Sequence, residues 1–228
     1  MTILTGAGVS AASGVPTFRG ETGLWRQFRA EELATPEAFE RDPRLVWEWY
    51  AWRREKIAAC RPNAAHDVIA GWSRRPGCRV VTQNVDDLHI RAGTSGLVRL
   101  HGSIWELSCW GGCADEPMPW RDERVPLPDA VPSCPHCGGL ARPAVVWFGE
   151  SLRPADVEAA LDGTVCDVFL TVGTSAVVYP AAGLVHEARR RGAFTAEINL
   201  EATVASAAVD VAIHGGAETI LPQIAKLL

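Results

Sequence analysis

The chain has 228 residues, with 27 acidic against 22 basic side chains and a formal net charge of −5. Hydrophobic residues make up 47% and charged residues 21%, a globular composition for one large domain or one domain plus a small module. No apolar stretch reaches the ~18 residues that span a membrane, and the acidic balance excludes a general basic footprint for nucleic acid.

The first predicted strand is Thr2-Ile3-Leu4-Thr5. No leader precedes it, so a cytoplasmic location is expected. The chain then reads GAGVSAASGVPTFRG over residues 6–20. Strand, glycine turn and helix start form the layout that brings a pyrophosphate onto backbone N–H groups. Gly6 and Gly8 take the first two fingerprint positions, and Ala11 fits the third, where Ala is allowed. Glycine spacing alone is a weak signal, because an ordinary tight turn has it too. The continuation is less ordinary: Gly14, Pro16, Phe18, Arg19 and Gly20 make a polar, kinked loop instead of a longer helix.

Thr35-Pro36 starts a short helix, Asp42-Pro43 a longer one to about Cys60, and Asn63 caps a third to Ser73. Further strands are predicted at 79–82, 97–100, 145–148, 168–172, 194–199 and 209–213, and further helices at 180–191 and 217–228. This alternation predicts an α/β fold with a Rossmann-like, mostly parallel sheet, built from about 1–20, 76–105 and 144–228. Residues 21–75 are expected as a helical insertion. Residues 106–143, rich in Pro, Gly and Cys, are expected as a second one, and the two together form a small module.

Cys109-x-x-x-Cys113 is followed by Cys134-Pro-His-Cys137-Gly-Gly. Two close cysteine pairs across a loop make a tetrahedral thiolate site for Zn²⁺. Four protein ligands leave no open position, so the metal is expected to be structural, and folding of the segment to depend on it. His136, inside the second pair, reads as a spectator. Cys60, Cys78 and Cys166 read as packed thiols.

Polar clusters end four of the predicted strands: Thr82-Gln83-Asn84-Val85-Asp86, His101-Gly102, Gly173-Thr174-Ser175 and Asn199-Leu200-Glu201. Open parallel sheets bind ligands at that end. Each cluster alone fits a helix cap; together with the glycine loop they mark a site. His101 is the side chain there able to take a proton near neutral pH.

These stretches, with VVWFGE at 145–150, resemble the sirtuins, NAD-dependent protein-lysine deacylases, in order and spacing over essentially the whole chain. The resemblance implies a single sirtuin-type domain over 1–228, with NAD consumed as co-substrate. The acidic residue that dehydrogenases place ~20 positions past the glycines has no clear counterpart, which agrees. It implies that Asn84 and Asp86 hold the nicotinamide ribose and carboxamide. The acyl oxygen attacks the ribose C1′ as nicotinamide leaves, and His101 then acts as general base on a ribose hydroxyl. The products are lysine, nicotinamide and O-acyl-ADP-ribose. Catalytic roles thus fall on His101, Asn84 and Asp86. Cofactor contacts fall on Gly6, Ala7, Gly8, Ser10, Thr17, Phe18, Arg19, Trp25, Gln83, Asn84, Asp86, Gly173, Thr174, Ser175, Asn199, Leu200, Glu201 and Ala217. Val146, Trp147, Phe148, Gly149 and Glu150 are expected to pair with an acylated peptide as an added strand, and a monomer is expected.

Tyr50 and Arg53 lie i,i+3 on the long helix and share a face. A guanidinium beside a phenol suits a carboxylate at the end of an acyl chain; a packed Tyr and a surface Arg also fit the spacing. The run VWEWYAWRRE is similar to the sirtuin subgroup that removes succinyl, malonyl or glutaryl groups. This implies desuccinylase and demalonylase activity with weaker deacetylation. The alternatives are a chiefly deacetylating enzyme, or an ADP-ribosyltransferase using the same NAD site.

Overall fold

The computed structural model describes residues 1–16, 30–113 and 119–228. The first unit is β1 (Thr2–Thr5) and the short α1 (Gly8–Ala11). Helices α2 (Ala30–Leu33), α3 (Pro36–Arg41), α4 (Pro43–Ala59) and α5 (Ala64–Ser73) follow. Next come β2 (Arg79–Thr82), α6 (Leu88–Arg91), β3 (Leu97–Arg99), β4 (Gly102–Cys109), β5 (Trp120–Arg121) and β6 (Ala141–Val145). The chain ends with α7 (Pro154–Asp162), β7 (Val168–Val172), a 3₁₀ turn at Ala181–Gly183, α8 (Leu184–Arg190), β8 (Phe194–Asn199), β9 (Val211–His214) and α9 (Ala217–Ala225).

The large sheet has the order β3-β2-β1-β7-β8-β9, and every pairing in it is parallel. This is a doubly wound α/β sheet whose order reverses between β1 and β7, where such sheets open a ligand crevice. Its central strands β1, β2 and β7 are buried on both faces, so neighbouring residues feed opposite cores. Leu4, Val81 and Phe169 pack with Ala160 of α7 and Leu184, Val185 and Ala188 of α8. Ile3, Val80 and Leu170 pack on the other face with Ala65, Ile69 and Trp72 of α5 and Leu221 of α9.

The second layer is an antiparallel sheet ordered β5-β4-β6. Its core joins Phe39 of α3 and Val46, Trp47 and Tyr50 of α4 to Ile104 and Leu107 of β4 and to Trp147. Arg54, 1% exposed, locks the joint: Nε donates to Ile104 O at 2.8 Å and Nη2 to Asp122 O at 2.9 Å. Asp122 pairs with the same guanidinium at 3.4 Å, so the buried charge is compensated. The capping residues predicted for α3, α4 and α5 do cap them: Thr35, Asp42 and Asn63 accept from Ala38 N, Leu45 N and Ala65 N.

Several expectations shift. Residues 145–148 were expected as a strand, but β6 is Ala141–Val145 and the chain then leaves the sheet. Trp147 N donates to Glu150 Oε2 at 2.8 Å and Glu150 N to Trp147 O at 3.0 Å, closing a turn where a strand would continue. β4 was not expected, although it is the longest strand of the small layer. α5 falls in the expected helical insertion, yet it packs on the large sheet. The last strand is displaced to Val211–His214, and the last helix stops at Ala225. Among the described residues, no helix is long and apolar enough to cross a membrane.

Candidate active site

The crevice at the switch point is built by two loops in backbone contact. A Cβ on Gly6 would meet Gly173 O and Thr174 Cα at 2.8 Å, and one on Gly8 would meet Gly173 Cα at 2.7 Å. Gly173 has φ +60, and a Cβ on it would lie 2.5 Å from Val9 N. The three glycines therefore let the β1 and β7 loops touch. Gly8 N donates to Gly173 O at 2.8 Å and Gly6 N to Val172 O at 3.0 Å, which fixes the contact. Ala7 is the N-cap residue of α1.

Ser10, Gln83, Asn84, Asp86 and His101, all predicted from the sequence, converge at this edge. Asn84 Nδ2 donates to Gly6 O at 3.0 Å and to Ser10 Oγ at 3.3 Å. Asp86, 4% exposed, accepts from Leu88 N at 2.9 Å. Burial raises its carboxyl pKa, while the Leu88 N–H, the nearby Ser10 hydroxyl and Arg53 pull it back down. Its peptide carbonyl receives Trp105 Nε1–H at 3.0 Å. Ser10 itself is fully buried.

His101 follows β3, with Nδ1 3.0 Å from Gln83 O. A carbonyl only accepts, so Nδ1 carries the proton and Nε2 presents a lone pair. Burial lowers its pKa and the Gln83 carbonyl works against this, so the ring is neutral at physiological pH. Gln83 Nε2 donates to Thr174 Oγ1 at 3.0 Å, tying the β2 loop, which holds His101, to the β7 loop.

Toward β8, Asn199 Nδ2 donates to Thr174 O at 2.8 Å and its Oδ1 accepts from Leu200 N at 3.0 Å. Ser175 is half-buried, and Leu200 and Glu201 are exposed. Ala217 places its side chain in the core with Ile3 and Leu221. Thr17, Phe18, Arg19 and Trp25 lie outside the described residues.

Tyr50 and Arg53 do share a face of α4. Arg53 stacks over Trp49 at 4.8 Å and lies 5.5 Å from the Tyr50 ring. Burial lowers its pKa, opposed by Tyr50 and Asp86. Tyr50 is 1% exposed, and burial raises its phenol pKa, so it keeps its proton. Its Oη accepts from Trp147 Nε1 at 2.9 Å. The phenol proton is thus directed away from Trp147. Trp147 itself is 2% exposed and supports the Tyr50 pocket with its side chain. Phe148 and Gly149 are exposed, and Val146 N donates to His101 O at 3.0 Å. Arg142 ties to both Glu150 oxygens and lies 3.5 Å over the Trp147 ring, bracing this turn.

The four cysteines meet at the tip of the small layer, their sulfurs all within 4.8 Å of one another. Cys109 and Cys137 Sγ are 3.6 Å apart, and Cys113 and Cys134 Sγ 3.8 Å. A tetrahedron with Zn–S bonds of about 2.3 Å has edges of about 3.8 Å, so the set fits a structural zinc. Of the remaining thiols, Cys60 is buried and Cys78 and Cys166 are half-buried.

Sequence reading missed two buried histidines beneath the site. His66 Nε2 is 3.3 Å from Ser10 Oγ, and His89 Nε2 is 2.9 Å from Thr5 Oγ1. Their rings are 4.9 Å apart. Burial lowers their pKa values to about 4 and about 3. His66 occupies a core-facing helical position, and nothing in its spacing marks it.

Among known proteins, an NAD-dependent protein deacylase of Aquifex aeolicus is 47% identical over 223 residues, covering 97% of this chain and 92% of that protein. The mitochondrial NAD-dependent protein deacylase sirtuin-5 of the dog, Canis lupus familiaris, is 44% identical over 247 residues, covering 97% of this chain and 79% of that protein. A crystal structure of a Sir2 homolog–NAD complex superposes with TM-score 0.91 at 43% identity, covering 99% of this chain and 88% of that one. The Sir2 family profile matches residues 6–180. With the glycine crevice, His101 and the cysteine quartet in place, the chain belongs to the Sir2 family.

Proposed function

We propose that this chain is an NAD-dependent protein-lysine deacylase that prefers acyl groups ending in a carboxylate. NAD supplies a ribosyl carbon activated by the departure of nicotinamide. The Gly6–Gly8–Gly173 crevice accepts its phosphates, and Asn84 and Asp86 orient its nicotinamide end. His101 takes a proton at Nε2 while Gln83 O steadies the opposite nitrogen, the posture a general base needs. Trp105 and Leu88 hold the Asp86 peptide and carboxyl in place.

The acyl preference rests on one observation above all: Tyr50 Oη is already an acceptor from Trp147 Nε1. Its proton is then available to a carboxylate, and the Arg53 guanidinium beside it supplies the charge. An acetyl group fits the same pocket without using either group. The likeness to a sirtuin-5 supports this reading.

The test incubates protein and NAD with matched acetyl- and succinyl-lysine peptides and follows nicotinamide and both peptides by mass spectrometry. Succinyl turnover should exceed acetyl turnover. Arg53→Met should cut succinyl kcat/KM at least about 30-fold, the cost of stripping one partner from a buried charge pair, and acetyl kcat/KM by less than about threefold. Equal losses would sink the acyl assignment. Nicotinamide release with both acyl groups intact would sink the deacylase reading in favour of ADP-ribosyl transfer.

A further inference from the structure

We propose that Arg142 is a positioning residue for acyl selectivity: its guanidinium, clamped to Glu150 and pressed on the Trp147 ring, holds the indole N–H on the Tyr50 oxygen. The inference rests on the reading that Tyr50 and Arg53 receive a carboxylate at the end of the acyl chain.

Arg142 projects from β6, and the chain folds back over it to Glu150. Nη1 and Nη2 each donate to one Glu150 oxygen, Nη2 at 2.8 Å, and Nη2 also donates to Val145 O at 2.9 Å. A two-pronged pair of this kind fixes the plane of the guanidinium as well as its place. Glu150 Oε2 accepts Trp147 N–H at 2.8 Å, so one carboxylate holds both the guanidinium and the Trp147 backbone. Burial disfavours the Glu150 carboxylate, but the Arg142 and Trp147 donors outweigh it and its pKa is lowered.

The clamped guanidinium lies 3.5 Å from the centre of the Trp147 ring, which is van der Waals contact. Phe39 packs against the same indole, with ring centres 5.4 Å apart. The ring therefore has no room to tip toward Arg142, and its Nε1–H stays on Tyr50 Oη at 2.9 Å. Trp147 is 2% exposed and Tyr50 1%, so no bulk water takes over as donor. The charges of Arg142 and Glu150 act on the phenol with opposite sign, so the pair supplies position more than field. Without the guanidinium, the indole gains space to turn off its rotamer. Tyr50 then loses the donor that leaves its own proton for a carboxylate. An acetyl group makes no use of that proton.

The readout is the ratio of succinyl to acetyl kcat/KM on matched peptides, measured on the zinc-loaded full chain with saturating NAD. A merely structural loosening of the 146–150 turn lowers both rates together and cancels in the ratio. Arg142→Met should lower the ratio about fivefold, the scale of one buried hydrogen bond. Arg142→Lys keeps the charge but not the planar fork, so its ratio should fall between wild type and Arg142→Met. It also carries the test if Arg142→Met does not fold. On a Trp147→Phe background, where the indole N–H is already gone, either Arg142 variant should leave the ratio no lower than Trp147→Phe alone. The proposal is overturned if Arg142→Met, or Arg142→Lys in its place, keeps the wild-type ratio. It is equally overturned if the Arg142 variant lowers the ratio by its full factor on the Trp147→Phe background. Arg53→Met separates the two readings: equal loss of both turnovers there would remove the acyl assignment itself. A fallen ratio there, with none for the Arg142 variants, would remove only this inference.

Discussion

Stability should fall between pH 8 and pH 5.5 because His66 and His89 are buried neutral. Neither ring has a place for a second proton. His66 Nδ1 already receives Asn63 N–H, and protonation would set two hydrogens face to face. His89 Nδ1 is buried without a hydrogen-bond partner among the described residues, and His66 is its neighbour. Folded pKa values of about 4 and about 3 lie far below the unfolded value of 6.5. The unfolded chain therefore binds more protons through this window, and stability present above pH 6.5 is lost as pH falls. At pH 5.5 an unfolded imidazole is about ten-elevenths protonated, and each buried ring costs about 1.4 kcal/mol, a sum of about 3 kcal/mol. The figure hardly depends on the folded values, since both lie well below 5.5. Asp86 works in the other direction, because its folded pKa is raised. A difference measurement isolates the imidazoles: His89→Gln keeps a donor to Thr5 and removes one titration. Urea unfolding with excess zinc at both pH values should show the variant losing about 1.4 kcal/mol less than the wild type. NMR of the imidazole C–H protons should show both rings failing to titrate above pH 5. A His66 or His89 titration near 6.5, or an unchanged pH slope in His89→Gln, would refute the reasoning.

Zinc removal by a chelator should unfold the layer carrying β4 to β6, seen as lost amide protection there, with metal binding and folding recovered together on zinc addition. Protection that survives chelation would contradict the structural role of the quartet. Gly173→Ala should cost more than about 3 kcal/mol, since the added Cβ meets backbone and the φ is positive; a loss below about 1 kcal/mol by denaturant titration would contradict the loop contact. Trp147→Phe keeps the ring and deletes the N–H to Tyr50, so succinyl kcat/KM should drop about fivefold relative to acetyl, near 1 kcal/mol for one buried hydrogen bond. An unchanged ratio would show that Tyr50 needs no such anchor.

The large sheet was legible because its strands are short apolar runs ending in polar clusters, and those clusters locate the crevice. The cysteine spacing likewise announced the quartet. β4 was not legible: GSIWELSC straddles the expected boundary between the core and the cysteine-rich insertion, and only its pairing with β6 makes it a strand. α7 begins at Arg153-Pro154 with a proline at its first position but no capping side chain, so only half of the start signal that marks α3 and α4 is present. The Tyr50–Trp147 bond joins residues 97 apart, and the Ser10–His66 bond residues 56 apart. Such links depend on tertiary packing, which local periodicity does not carry. The residue types at the site could be read from the chain, whereas the proton directions needed the fold.

Gly6, Gly8 and Gly173 meet through main chain, not through side chains. Natural drift at one of them finds no compensating exchange at the others, because no smaller residue exists to make room. Where contacting side chains drift in pairs across a lineage, this contact should leave no paired changes at all. Methods that infer proximity from correlated substitution should therefore be blind at this contact between the β1 and β7 loops, and would see three independent, motionless columns instead.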